Sequence, residues 1–148
     1  MGATYNEILK FKSKYKGGVA WRLPKHAEVL DTHINPDEKI IYAFPGQKND
    51  SFFNIFSTCI VALTNRRILI AQKYVLWGYK LISITPDLFN DLEVQEELIW
   101  GRIIIDTIKE VVIVTNIDKK ALPEIETSIS SFMMKEKRHY APRPEHTN

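Results

Sequence analysis

Val61-Ala62-Leu63-Thr64-Asn65-Arg66-Arg67-Ile68-Leu69-Ile70 carries the strongest structural signal in the chain. Two runs of aliphatic and β-branched residues flank a polar Thr-Asn-Arg step. The chain therefore runs extended, turns at Asn65-Arg66 and returns as an antiparallel hairpin. A turn at Asn65 sets Arg66 and Arg67 on opposite faces of the emerging strand. One is expected to reach back to carboxylates while the other lays its stem along an apolar edge, with local ion pairing weighed against an anion site.

Working outward, the same texture continues on both sides. Strands are expected at 39–44 (closed by Pro45-Gly46), 53–64, 67–71, 79–85, 91–98, 102–107 and 110–115. Leu76-Trp77-Gly78 and Ile99-Trp100-Gly101 repeat one local pattern, an aromatic followed by a glycine, which suits hairpins whose glycine takes a positive φ. Seven short strands with turns every 8–12 residues predict an antiparallel barrel or sandwich, not alternating β-α units. After them, Leu122, Ile125, Ile129, Phe132 and Met133 form one apolar stripe at helical spacing, opened by Pro123 and Glu124. Before them lie two short helical segments. Tyr5, Ile8, Leu9, Lys12 and Tyr15 recur at helical spacing up to Gly17-Gly18, and a second helix runs from Pro24 to the Asn35-Pro36 break.

The resulting division is a basic helical leader over 1–34, a β domain over 35–137 and a flexible tail over 138–148. Charge follows it: residues 1–25 carry +5, the remainder −3, and the whole 148-residue chain +2. At 45% hydrophobic with a single cysteine, Cys59, the chain has enough apolar residues for one core and forms no internal disulfide. No apolar stretch suits a signal peptide or a membrane helix, so a cytoplasmic protein is expected. Asn6 stands where a myristoylation motif wants Ser or Thr, so that reading of Gly2 is set aside.

Several stretches carry a family resemblance. Asp37-Glu38-Lys39-Ile40-Ile41-Tyr42-Ala43, the Leu63-Thr64-Asn65-Arg66-Arg67 hairpin, Ile84-Thr85-Pro86-Asp87-Leu88 and Gly101-Arg102-Ile103-Ile104-Ile105 together resemble a bacterial pleckstrin-homology (PH) domain of the YokE-like type. The resemblance spans about residues 35–137. It implies a PH-like seven-stranded antiparallel barrel with its C-terminal helix plugging one open end. It also places any ligand-lining rim on the 45–52, 72–79 and 108–110 loops, where Lys48, Lys73, Trp77, Lys80 and Lys109 are the candidates. Phosphoinositide-binding relatives carry a basic-x-basic pair on the second strand. This chain has Phe52-Phe53-Asn54-Ile55-Phe56-Ser57 there, with no basic residue.

Chemistry finds little footing. His26 and His33 share a helical face, but the neighbouring acids are ordinary surface residues, so no metal site is expected. Cys59 sits mid-strand as a small core residue, not as a nucleophile. No phosphate loop, nucleophile elbow or zinc spacing occurs. The expectation is a noncatalytic interaction or scaffolding module that needs no cofactor and associates with itself or another protein. Self-association is expected at Phe53 or Phe56, on the uncharged start of the second strand. The alternative is an anionic membrane or phosphorylated headgroup, met by Lys10, Lys12, Lys14 and Lys16 or by the barrel rim. Nucleic acid is disfavoured because the net charge is small.

Overall fold

A computed structural model describes residues 2–48 and 57–140, with side chains through 138. Two helices lead: α1 (Ala3–Lys14) and α2 (Leu23–His33). Seven strands follow: β1 (Ile40–Lys48), β2 (Thr58–Thr64), β3 (Ile68–Lys73), β4 (Tyr79–Ile84), β5 (Phe89–Glu96), β6 (Gly101–Thr107) and β7 (Val111–Ile117). The last element is α3 (Leu122–Tyr140), so the helix reaches past residue 137. The strands form one antiparallel sheet in the order β4-β3-β2-β1-β7-β6-β5. Ile84 of β4 and Leu92 of β5, from the two ends of that order, share one core with Ile125, Ile129 and Met133 of α3. The sheet therefore curls around an interior that α3 closes. Each of those fully buried α3 side chains contributes about 1.5–3 kcal/mol.

β2 is buried along its whole length. Val61 and Leu63 enter the interior, while Ile60 and Ala62 enter a second cluster with Ile8, Ala27 and Leu30. Strand alternation thus feeds two cores, which is why the sequence reads as an unbroken apolar run there. Ala43, Ala62 and Ala71 keep this outer face shallow, and α1 and α2 settle on it. The leader covers the outer face of β1–β3 with its own apolar stripe.

Two expectations need correction. The first strand does not close at Pro45-Gly46 but pairs with β2 through Gln47. Lys48 N–H donates to the Ser57 carbonyl, so by alternation the Pro45 nitrogen points away from β2. On that side β7 joins only from Gln47 onward, so no ladder bond needs the missing N–H. The two Trp-Gly steps also differ. Gly78 does take φ +82°, whereas Gly101 has no positive φ; a Cβ there would come within 2.8–3.0 Å of the Leu122 side chain. Gly101 is required for the close approach of β6 to α3. Gly101→Ala is expected to destabilise the protein by about 1–3 kcal/mol, read as a lower denaturation midpoint at unchanged m-value. Over Thr58–Thr64, β2 lies between β1 and β3. Phe53 and Phe56 lie outside the described residues.

Candidate docking surface

Both arginines of the decisive hairpin go to carboxylates, which corrects the expected division of labour. Arg66 pairs with exposed Asp37. Arg67 donates from Nε to Glu38 Oε2 and from Nη2 to Oε1, each at 2.9 Å, and from Nη1 to Ser83 Oγ at 3.1 Å. The Glu38 side chain is fully buried. Burial alone would raise its pKa, but bonds from Arg67, the Thr64 hydroxyl and the Asn35 N–H outweigh that and hold it at about 2. The hairpin's charges are consumed in fixing the turn to the segment before β1.

The leader lysines are similarly engaged. Lys10 pairs with Glu7 and Lys14 with Glu124, each at 2.8 Å. Lys12 donates to the Gly17 carbonyl at 2.8 Å, and its partial burial lowers its pKa. Lys16 is exposed with no side-chain partner among the described residues. Glu124 also accepts from the Tyr42 hydroxyl at 3.1 Å, tying α1, β1 and the first turn of α3 together. The two helical histidines part company. His26 is fully buried and its Nδ1 accepts the Lys73 N–H at 2.8 Å. His33 donates from Nδ1 to the Val29 carbonyl at 2.7 Å, so its Nε2 accepts the Tyr79 hydroxyl at 2.8 Å. Among the described residues no three His, Cys, Asp or Glu gather as a metal set, and no helix is long and apolar enough to cross a membrane.

What remains for contact is at the strand ends. Strand directions place the β1–β2, β3–β4 and β6–β7 connections at one end of the sheet and the β2–β3 and β5–β6 connections at the other. The rim candidates Lys73, Trp77, Lys80 and Lys109 fall at the first end, whereas the C-terminal half of α1 sits near Asp118 and Glu124, at the second. Lys48 belongs to the first end by position, but it is only 5% exposed, so it is not an open rim group. The β3–β4 hairpin is the prominent feature. The Tyr74 N–H to Gly78 carbonyl bond (3.0 Å) and the positive φ of Gly78 close its turn. Beyond that closure Leu76 and Trp77 are 81% and 79% exposed, with Tyr74, Val75 and Tyr79 also exposed. Lys73 and Lys80 stand at its base. The β5–β6 tip also exposes Leu98 and Ile99, but its charges are engaged with each other: Glu96 pairs with Lys119 and Glu97 with Arg102. Sequence reading singled out Trp77 but not Leu76 or Tyr74, because nothing in an alternating strand pattern tells a protruding tip from a covered one.

The comparisons with known proteins agree with this architecture. A pleckstrin-homology domain structure from Shewanella amazonensis SB2B superposes with a TM-score of 0.53 at 12% identity, covering 83% of this chain and 98% of that one. A DUF1696 family protein with a pleckstrin-homology domain from Shewanella loihica PV-4 gives 0.50 at 13% identity, covering 77% and 99%. These likenesses concern the fold. No curated protein matches. The family model described as "Bacterial PH domain" matches residues 34–131, which takes in every strand and the first half of α3 and leaves α1 and α2 outside. The chain belongs to the bacterial PH domain family.

Proposed function

We propose that this chain is a noncatalytic docking module whose contact element is the β3–β4 hairpin and whose partner is an anionic membrane interface. The observation that carries the reading is the tip itself, where Leu76 and Trp77 stand about four-fifths exposed beyond a closed turn. A soluble surface keeps so large an apolar tip only at a cost, and such patches mark contact sites. Trp and Tyr suit the headgroup level of a bilayer, and the flanking Lys73 and Lys80 add about 1 kcal/mol each near anionic lipid. At the opposite β5–β6 tip the nearby cations Lys119 and Arg102 are already held by Glu96 and Glu97.

The test is co-sedimentation with phosphatidylserine-containing vesicles against neutral ones, at low and near-physiological salt. Binding that needs anionic lipid and weakens with salt is expected. Leu76→Ser/Trp77→Ser should reduce it about tenfold or more while leaving the fold intact, since both positions are exposed. Unchanged binding in that variant would move the contact elsewhere, with exposed Lys16 the next residue to test.

A further inference from the structure

The sheet has two edges, and they are protected differently. β5 carries exposed Asp91 and Glu93, its pairing with β6 shifts register between Phe89 and Asp91, and α3 packs on it. These are the usual guards against unwanted strand addition. β4 is less guarded, with α2 touching it through His33 and Tyr79. It pairs with β3 in unbroken register over six residues, contains no proline and carries one charge, Lys80.

Which backbone groups that edge offers follows from bonds at both ends of β3. The Thr64 N–H to Arg67 carbonyl bond and the register Ala62↔Leu69 turn the polar groups of Leu69, Ala71 and Lys73 toward β2. Lys73, beyond the last β2 pair, gives its N–H to His26 instead, which confirms the phase. Gln72, Ile70 and Ile68 therefore face β4, and their partners Lys80, Ile82 and Ile84 face back. Tyr79, Leu81 and Ser83 are left with N–H and C=O groups directed outward from the sheet.

We propose that β4 is the interface between two copies of this chain, joined antiparallel about a twofold axis through Leu81. Three features favour a second copy as the occupant. First, the register is self-complementary: centring it on Leu81 sets Tyr79 opposite the partner's Ser83, so the outward residues meet only each other and six ladder bonds form. Second, Lys80 then faces the partner's Ile82 rather than another lysine. Third, the cleft beside β4 (about 320 Å³) holds charges of both signs. Among the described residues neither its Lys25 nor its Glu28 side chain has an ion-pair partner, which suits a copy of the same surface better than an anion.

Light scattering on the full chain at its highest soluble concentration should give twice the chain mass; a monomer there overturns the proposal. Register is read with Tyr79→Cys/Ser83→Cys. Opposite residues of a bonded antiparallel pair lie about 5.5 Å apart at Cα, within disulfide reach, whereas the two positions within one strand lie too far apart. Mild oxidation should give a covalent dimer on a non-reducing gel, with Cys59 buried and unable to substitute. A doubled mass without that covalent dimer would refute β4 as the interface. Leu76→Ser/Trp77→Ser should retain the doubled mass even where it loses vesicle binding, so the two readings fail separately. A monomeric Leu76→Ser/Trp77→Ser variant would assign the interface to the hairpin tip and refute β4.

Discussion

Arg67→Ala is expected to cost about 3–5 kcal/mol, because it leaves the Glu38 carboxylate buried without its counter-charge. The neighbouring Arg66→Ala supplies the control. Arg66 and Asp37 have side chains 48% and 67% exposed, and such pairs contribute about 0–1 kcal/mol. Denaturant titration of the two variants should therefore separate them by several kcal/mol, although the residues are adjacent. Equal losses would mean that the ion pair does not organise the turn. The pair also fixes a pH signature. Glu38 ionises at about 2 in the folded chain against 4.5 unfolded, so its stabilisation is fully present above pH 4.5 and lost as pH falls toward 2. Over that window wild type should lose about 3 kcal/mol. Arg67→Ala should lose far less, having forfeited the stabilisation at neutral pH.

His26 predicts a second acid transition at milder pH. Burial, and then the nearby Arg22 charge, push its pKa down to about 4, while the Trp21 carbonyl beside the ring pulls the other way. The ring is held neutral because Nδ1 must keep a lone pair for the Lys73 N–H. For a base whose folded pKa lies below its unfolded 6.5, the unfolded chain takes up the proton first. Stability is thus complete above pH 6.5 and falls by about 3 kcal/mol as pH drops through 4. His26→Gln keeps an acceptor for that N–H but does not titrate. Its stability should stay nearly flat between pH 6.5 and 4.5, above the range where Glu38 contributes. A wild-type slope that survives in His26→Gln would place the transition on another group.

Much of the architecture was legible in the chain because its signals are local. The Thr64-Asn65-Arg66 turn, the alternating runs and the Leu122–Met133 stripe each specify an element from neighbouring residues, and the matching of so many elements pointed to the PH barrel. The same logic misleads at Pro45, where a proline followed by glycine suggests a terminator. Whether proline ends a strand depends on which side its nitrogen faces, and that is set by the neighbour across the ladder.

Element order, the closing helix and the family resemblance are written in the chain, because periodicity and turn chemistry act over a few residues. Tertiary structure alone decided what each charged or apolar side chain is for. His26 became a cap on the end of β3, Lys14 a link to α3, Arg67 the counter-charge of a buried Glu38 and Lys48 a buried residue. It also decided that β4 and β5 end the sheet, and that the leader covers the outer face of β1–β3. The physical reason is range. A hydrogen bond or ion pair acts over about 3–4 Å in space, yet His26 and Lys73 are 47 residues apart in the chain, and Lys14 and Glu124 are 110 apart.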